Sequence, residues 1–149
     1  MVFGNLQSFS SVSKVNNFRA GVCINPHFQK RHKGGEDAAC LNSNLLAVAD
    51  GVGGWAESGV DPAVYSKKLC KLIDELYATK DDRFMASPRE LLVEACKQNK
   101  EIGSCTACLV SLDEKASVLT TANLGDSGYM ILRQVPGKQK LDIFYESKE

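Results

Sequence analysis

Acidic side chains lie at three points where an apolar, strand-like run meets glycine. Asp50 ends the run Leu45–Ala49 and is followed by the turn GVGG. Glu36 and Asp37 lie in GGED before that run, and Asp126 lies in NLGDSG within a later one. Carboxylates at the ends of separate strands can converge on one point, and oxygen ligands are those that hard divalent cations prefer. The sequence therefore predicts a divalent-cation site with Asp50 as a ligand.

The chain is basic where it approaches these carboxylates. No acidic residue precedes Glu36, and this segment can attract phosphate to an otherwise acidic pocket or can be a solvated arm. Zero net charge and the absence of aromatic residues within the basic cluster argue against a nucleic-acid partner. The basic residues before Glu36 are Lys14, Arg19, Lys30, Arg31 and Lys33.

Length and composition predict one globular domain over residues 1–149. The chain is 44% hydrophobic and 24% charged, and no apolar run reaches the roughly 18 residues of a membrane helix. We expect an intracellular monomer without membrane insertion, in the cytoplasm or in mitochondria. The opening Val2–Arg19 is rich in serine and resembles a weak organellar presequence, but it fits a first strand equally well because of the alternation at Leu6, Ser8, Val12 and Val15.

Six cysteines without a secretory signal indicate reduced thiols. Cys105 and Cys108 form the one CxxC pair. A structural zinc site needs a second pair of ligands, and a thioredoxin-like motif needs a helix start, whereas this pair begins a β-run. We therefore expect the two cysteines to be structural.

Two helices are predicted between the strands. Asp61 and Pro62 are a capping residue and a first-turn proline, and an apolar stripe extends the helix over Pro62–Tyr77. Ser87 and Glu90 match a capping box that opens a second helix. The stripe residues are Tyr65, Leu69, Leu72, Ile73 and Leu76 in the first helix, and Leu91, Leu92 and Ala95 in the second.

From Thr106 the apolar period changes to two. TACLVSL, SVLTTANL and YMILR then predict an antiparallel meander of three short strands, followed by an apolar remainder over Leu141–Tyr145. Together with the buried strand Leu45–Ala49 and the two helices, this pattern favours a mixed α/β (α+β) sandwich.

Four blocks of the sequence, in this order, resemble the metal-dependent type 2C serine/threonine protein phosphatases (the PPM family). They are GGEDA, VADGVGGWAESGVDP, GSCTACLVSLD and TANLGDSGYMILR, and they span Gly34–Arg133. The chain is most similar to the branch with DGVGGW, which includes mitochondrial members. The resemblance implies a four-layer αββα sandwich of two antiparallel sheets flanked by helices. Because the family domain has about 250 residues, we expect its N-terminal part here.

The resemblance also implies a site for two Mn²⁺ or Mg²⁺ ions, with a third, weaker site. Asp50 would bridge the two ions, and the carbonyl of Gly51 would bind one of them. Glu36 and Asp37 would hold metal-bound waters, and Asp126 would serve the third site. Two close cations lower the pKa of a bridging water, which can then attack phosphorus in line without a protein nucleophile. The implied substrate is a phosphoserine or phosphothreonine protein.

Two positions depart from the family pattern. Many relatives place an arginine four residues before the glutamate to bind phosphate, and here that position is His32, with Arg31 and Lys33 beside it. Either neighbour can substitute, although lysine lacks the bidentate fork of arginine. Val52 occupies the position where many relatives have a histidine after the Asp-Gly pair, so a water is the expected proton donor for the leaving group.

Two other functions remain open from the sequence. The Asp-Gly and Asp-Asn motifs that complete the family's metal cluster are absent, and the spare aspartates Asp113 and Asp142 lack the right context. We therefore expect a catalytically incomplete chain, and a pseudophosphatase or regulatory phosphoprotein-binding module is the alternative. A nucleotide-binding loop is a weaker hypothesis, because Ala56 occupies the last glycine position of a GxGxxG motif.

Overall fold

The computed structural model describes residues 17–148. The presequence or first strand predicted over Val2–Arg19 lies almost wholly outside them. Two 3-10 helices, at Phe28–Lys33 and Gly53–Ser58, precede the first α-helix. The strands are β1 (Asp37–Leu41), β2 (Leu45–Asp50), β3 (Ala107–Asp113), β4 (Val118–Leu124), β5 (Met130–Gln134) and β6 (Leu141–Glu146), and the α-helices are α1 (Pro62–Ala78), α2 (Asp82–Ala86) and α3 (Pro88–Gln98).

The larger of two antiparallel sheets has the strand order β1-β2-β3-β4. Its first two strands pair in a register that runs from Asp37 opposite Asp50 to Leu41 opposite Leu46. Beyond β2, the amide of Thr106 donates to the carbonyl of Asp50 at 2.9 Å, which extends the pairing toward β3. The predicted strand over Leu45–Ala49 is confirmed, and it ends at Asp50.

Helix α1 covers one face of this sheet and forms as predicted. The Asp61 carboxylate accepts a hydrogen bond from the amide of Ala63 at 3.1 Å, and Pro62 occupies the first turn. Leu69 and Ile73 are fully buried in a core that includes Leu45 of β2. The spacing of the stripe therefore sets the face that packs on β1 and β2.

A short helix that the sequence analysis missed, α2, connects α1 to α3. It is capped by Asp81, whose side chain accepts from the amide of Arg83 at 2.9 Å, and it buries Phe84. Helix α3 begins as predicted: the Ser87 hydroxyl accepts from the amide of Glu90 at 3.3 Å. α2 was missed because its five residues are too few to show a helical period.

The predicted three-strand meander is wrong at its third strand. β3 pairs with β4, but β5 pairs with β6, the segment that the sequence analysis left as an apolar remainder. Alternation identifies a strand but not its partner, so the local pattern did not exclude this pairing. Two antiparallel sheets with helices confirm the α+β class. Several large apolar side chains of the β5-β6 ribbon remain exposed: Leu132, Leu141, Ile143 and Phe144.

All six cysteines lie within the described residues and are free thiols. Burial raises the pKa of Cys70 to about 12 and that of Cys105 to about 11. A thiol with a raised pKa is a poor nucleophile and metal ligand, because the thiolate is the reactive form. The raised pKa values of Cys70 and Cys105 agree with a structural role for these two residues. Across residues 17–148, no helix is long and apolar enough to cross a membrane.

The α1 core contact gives a stability prediction. Ile73→Ala removes a fully buried side chain from the interface between α1 and the sheet, so we expect the free energy of unfolding to fall by about 2–5 kcal/mol. Val64→Ala, on the exposed face of the same helix, is the control and should change it by less than about 0.5 kcal/mol. Urea unfolding measures both, and equal losses in the two variants would contradict this packing.

Candidate metal centre

The ends of β1 and β2 place two carboxylates side by side. Asp37 is the first residue of β1, Asp50 is the last of β2, and the two are register partners. The pKa of Asp50 is raised, first by partial desolvation, then by a hydrogen bond that its protonated form donates to Asp37, and then by the charges of Asp37 and Asp126. Lys30 acts in the opposite direction. Like charges held this close favour a proton or a cation between them.

The side chains at these strand ends have the chemistry that a hard divalent cation needs. Their donor atoms are carboxylate oxygens, which suit Mg²⁺ and Mn²⁺. In residues 17–148, however, no three acidic, histidine or cysteine side chains are gathered in ligating geometry. Asp37 and Asp50 form the close pair, and Asp126 acts on it through its charge. We call these three residues and Glu36 the acidic edge.

Glu36 is fixed through both its side chain and its backbone. Its carboxylate forms an ion pair with Lys30. Its carbonyl accepts two hydrogen bonds, from the amide of Gly51 at 3.2 Å and from the hydroxyl of Ser66 at 2.5 Å. Ser66 is fully buried in α1. The helix is therefore bonded directly to the backbone that precedes β1.

Gly51 is required by close packing of the backbone. A Cβ at this position would lie 2.7 Å from the carbonyl oxygen of Glu36 and 2.8 Å from that of Pro62. Backbone atoms cannot turn away as the end of a side chain can. The glycine thus lets β2 end between the start of β1 and the start of α1, with Asp50 opposite Asp37.

The loop that carries Asp126 is joined to β3 near Asp50. The hydroxyls of Ser127 and Thr106 are hydrogen-bonded to each other, and the Thr106 amide donates to the Asp50 carbonyl. This chain of contacts brings Asp126 close enough for its charge to affect Asp50. The charges of Asp37 and Asp126 therefore both act on Asp50, and the assignment of these residues as metal ligands stays a prediction.

The basic residues near Glu36 divide into two groups. Lys30, His32 and Lys33 line a cavity of about 300 Å³ together with Glu36. Arg31 lies elsewhere, with its guanidinium 5.8 Å from the centre of the Phe28 ring. The assignment of His32, Arg31 and Lys33 to phosphate binding stays a prediction, but only two of the three share a cavity.

Three features of the site were not foreseen. Lys30 was noted only as part of a basic cluster, and the structure pairs it with Glu36, six residues later in the chain. The indole of Trp55 donates to the Ser104 hydroxyl at 2.8 Å, which fastens the glycine turn to the segment before β3. Ser66 carried a weak signal: it is a polar residue on the apolar side of α1.

Comparison with known proteins identifies relatives of this chain. The chain is 41% identical over 118 residues to probable protein phosphatase 2C 55 of Arabidopsis thaliana, covering 77% of this chain and 24% of the relative. It is 43% identical over 114 residues to the protein phosphatase PTC7 homolog of Xenopus laevis, covering 66% of this chain and 36% of the relative. No protein-family model matches it.

A solved structure has the same fold. The X-ray structure of the photosystem II phosphatase PBCP superposes with a TM-score of 0.71 at 33% identity, covering 83% of this chain and 46% of that one. The chain belongs to the PPM family of type 2C protein phosphatases. It spans less than half of the length of each of these relatives.

Asp50→Asn should have opposite effects without and with metal. Ionised Asp50 is disfavoured in the folded state because its pKa is raised, so without metal at neutral pH the variant should gain stability, by less than about 1 kcal/mol after solvent screening. Mn²⁺ at a hundredfold excess over its dissociation constant should stabilise the wild type by about 2.7 kcal/mol. The variant should not show this stabilisation by Mn²⁺.

Thermal unfolding with and without Mn²⁺ measures both effects. Asp82→Asn, an exposed aspartate on α2, is the matched control and should keep the wild-type response. An Asp50→Asn variant that Mn²⁺ still stabilises fully would show that the ion binds elsewhere.

Ser66→Ala tests the bond between α1 and the acidic edge. It removes a buried donor to the Glu36 carbonyl, so the free energy of unfolding should fall by about 1–3 kcal/mol, and Mn²⁺ affinity should weaken because the start of β1 is less fixed. Ser58→Ala, an exposed serine, should change neither. Calorimetric titration with Mn²⁺ and urea unfolding report the two effects, and unchanged affinity would separate Ser66 from the site.

Proposed function

We propose that this chain carries the metal-binding part of a protein serine/threonine phosphatase that hydrolyses phosphoserine and phosphothreonine with a metal-activated water. The observation that carries the proposal is the pair of carboxylates of Asp37 and Asp50, held together at neighbouring strand ends. The two carboxylates repel each other, and a divalent cation bound between them would offset that repulsion. Membership of the type 2C family and the phosphatase names of the relatives support it.

Each residue of the acidic edge has a role in this proposal. Asp50 and the Gly51 carbonyl would bind cations directly, and Asp37 and Glu36 would orient waters around them. Asp126 would hold a further cation more weakly. When bound, Mn²⁺ or Mg²⁺ makes a water molecule more nucleophilic at neutral pH and stabilises the phosphoryl oxygens. Oxygen ligands suit both ions, so the proposal does not choose between them.

Ser127 and Ser104 are poorly placed for covalent catalysis. The hydroxyl of Ser127 is bonded to Thr106, and that of Ser104 accepts from Trp55. A serine nucleophile needs a base, usually a histidine, within hydrogen-bond reach. His27 and His32 both lie at the first 3-10 helix rather than beside these hydroxyls. The absence of such a pair in the described residues favours water as the nucleophile.

Phosphate release from a phosphothreonine peptide tests the proposal. We expect release by the 149-residue chain to require Mn²⁺ or Mg²⁺ and to stop when EDTA is added. It should be slow, because no three acidic side chains of residues 17–148 are gathered in ligating geometry. Asp50→Asn should lower the rate at least about a hundredfold, since metal charge contributes several kcal/mol to phosphoryl transfer.

Asp82→Asn should leave the rate unchanged. Release that persists in EDTA would contradict a metal-activated water. Mn²⁺ binding without any release would instead support the regulatory phosphoprotein-binding module.

A further inference from the structure

The carboxylate of Asp126 is not held in place by a bond of its own. Asp126 is exposed, and within residues 17–148 its side chain forms no hydrogen bond and no ion pair. It lies in the short loop that joins β4 to β5. Its charge nevertheless acts on Asp50, at the end of β2. The backbone on either side of Asp126 must therefore determine where this carboxylate lies.

One side chain contacts both chain neighbours of Asp126. The hydroxyl of Thr106 is hydrogen-bonded to that of Ser127. The methyl group of Thr106 lies against Gly125, where an added Cβ would be 2.9 Å from the Cγ2 atom of the threonine. Gly125 also has a φ of 84°, in the left-handed region that favours glycine. Thr106 thus fixes the loop immediately before and immediately after Asp126.

The backbone of Thr106 is bonded to the other part of the acidic edge. Its amide donates to the carbonyl of Asp50 at 2.9 Å. Ser127, the partner of its hydroxyl, lines a cavity of about 310 Å³ together with Asp37 and Asp50. A single residue therefore connects the end of β2, through its backbone, to the loop that carries Asp126, through its side chain. Substitution of Thr106 can remove the second connection and leave the first intact.

The far end of this loop is fixed separately. The hydroxyl of Ser147, which follows β6, accepts a hydrogen bond from the amide of Tyr129 at 2.9 Å. The phenol of Tyr129 donates to the hydroxyl of Thr121, in β4, at 3.4 Å. These contacts do not involve Thr106. Loss of the Thr106 hydroxyl should therefore loosen the residues next to Asp126 without detaching the loop.

We propose that Thr106 is a positioning residue for the cation at Asp126, because its hydroxyl and methyl groups hold that carboxylate near Asp50. This inference rests on the proposed phosphatase function, and it assigns the contact that connects the weaker cation site to the central pair of carboxylates. A loop that is already ordered loses less conformational freedom when it binds a ligand. Without the hydroxyl bond, cation binding must order the loop, and the affinity of this site falls.

Mg²⁺ titration of the ¹⁵N-labelled 149-residue chain tests this role, because amide chemical shifts report the apparent affinity separately at Asp50 and at Asp126. Thr106→Val replaces the hydroxyl by a methyl group of similar size. We expect the affinity reported at Asp126 to fall about three- to tenfold, since one hydrogen bond is lost. The affinity reported at Asp50 should change by less than about twofold, because the backbone bond from residue 106 is retained.

Three further variants separate positioning from general loosening of the fold. Thr106→Ser keeps the hydroxyl and should restore the wild-type response at Asp126. Thr120→Val, at an exposed threonine of β4, is the matched control and should behave like the wild type. Ser127→Ala breaks the same hydrogen bond from the other side and should resemble Thr106→Val. The double variant should bind no more weakly than either single variant, because both changes remove one shared interaction.

Unchanged affinity at Asp126 in Thr106→Val, or equal losses at Asp50 and Asp126, would overturn the assignment of Thr106. If Mg²⁺ binding in those cases still depended on Asp50, the failure would concern Thr106 alone and the proposed metal site would stand. A wild-type chain whose Asp50 amide did not respond to Mg²⁺ would contradict both proposals.

Discussion

The pairing of β1 with β2 holds Asp37 opposite Asp50, and the chemistry of the molecule depends on this register. Backbone hydrogen bonds keep the two carboxylates together although their charges repel. A shift of the pairing by one residue would turn one carboxylate to the other face of the sheet. The buried core between α1 and this sheet opposes such a shift, because Leu45 and Ala47 of β2 point into it. Packing thus maintains an arrangement that electrostatics alone disfavours.

The connection from the core to the site runs through one carbonyl group. The carbonyl of Glu36 receives hydrogen bonds from Gly51, at the end of β2, and from Ser66, inside α1. The start of β1, the end of β2 and the first turns of α1 therefore meet at a single oxygen. Charge repulsion among neighbouring carboxylates is typical of functional sites. The rest of the fold must then stabilise an arrangement that is locally unfavourable.

The sequence predicted those parts of the structure that local patterns determine. The start of α1 was predicted because Asp61 caps it, and α3 because Ser87 and Pro88 open it. The partner of β5 was predicted wrongly, since alternation does not specify which strands pair. The residues of the acidic edge were chosen from strand ends and glycines, and their role as metal ligands stays a prediction.

The contacts of Lys30 and Ser66 could not be predicted from the sequence. Lys30 is one of several basic residues before Glu36, and spacing does not show that it alone reaches Glu36 while Arg31 packs on Phe28. Ser66 occupies a helix position whose role depends on how α1 docks against the strand ends. Both contacts arise from tertiary packing, which local periodicity does not contain.

Paramagnetic Mn²⁺ added to the ¹⁵N-labelled chain tests the central claim most directly, because the ion broadens NMR signals of the amides nearest to it. The account predicts that the amides of Asp37, Asp50 and Gly51 broaden first, followed by that of Asp126, while those of Asp82 and Asp142 stay sharp. Broadening that began at Asp82 or Asp142, or that affected all amides equally, would contradict a cation site built on the pairing of β1 with β2.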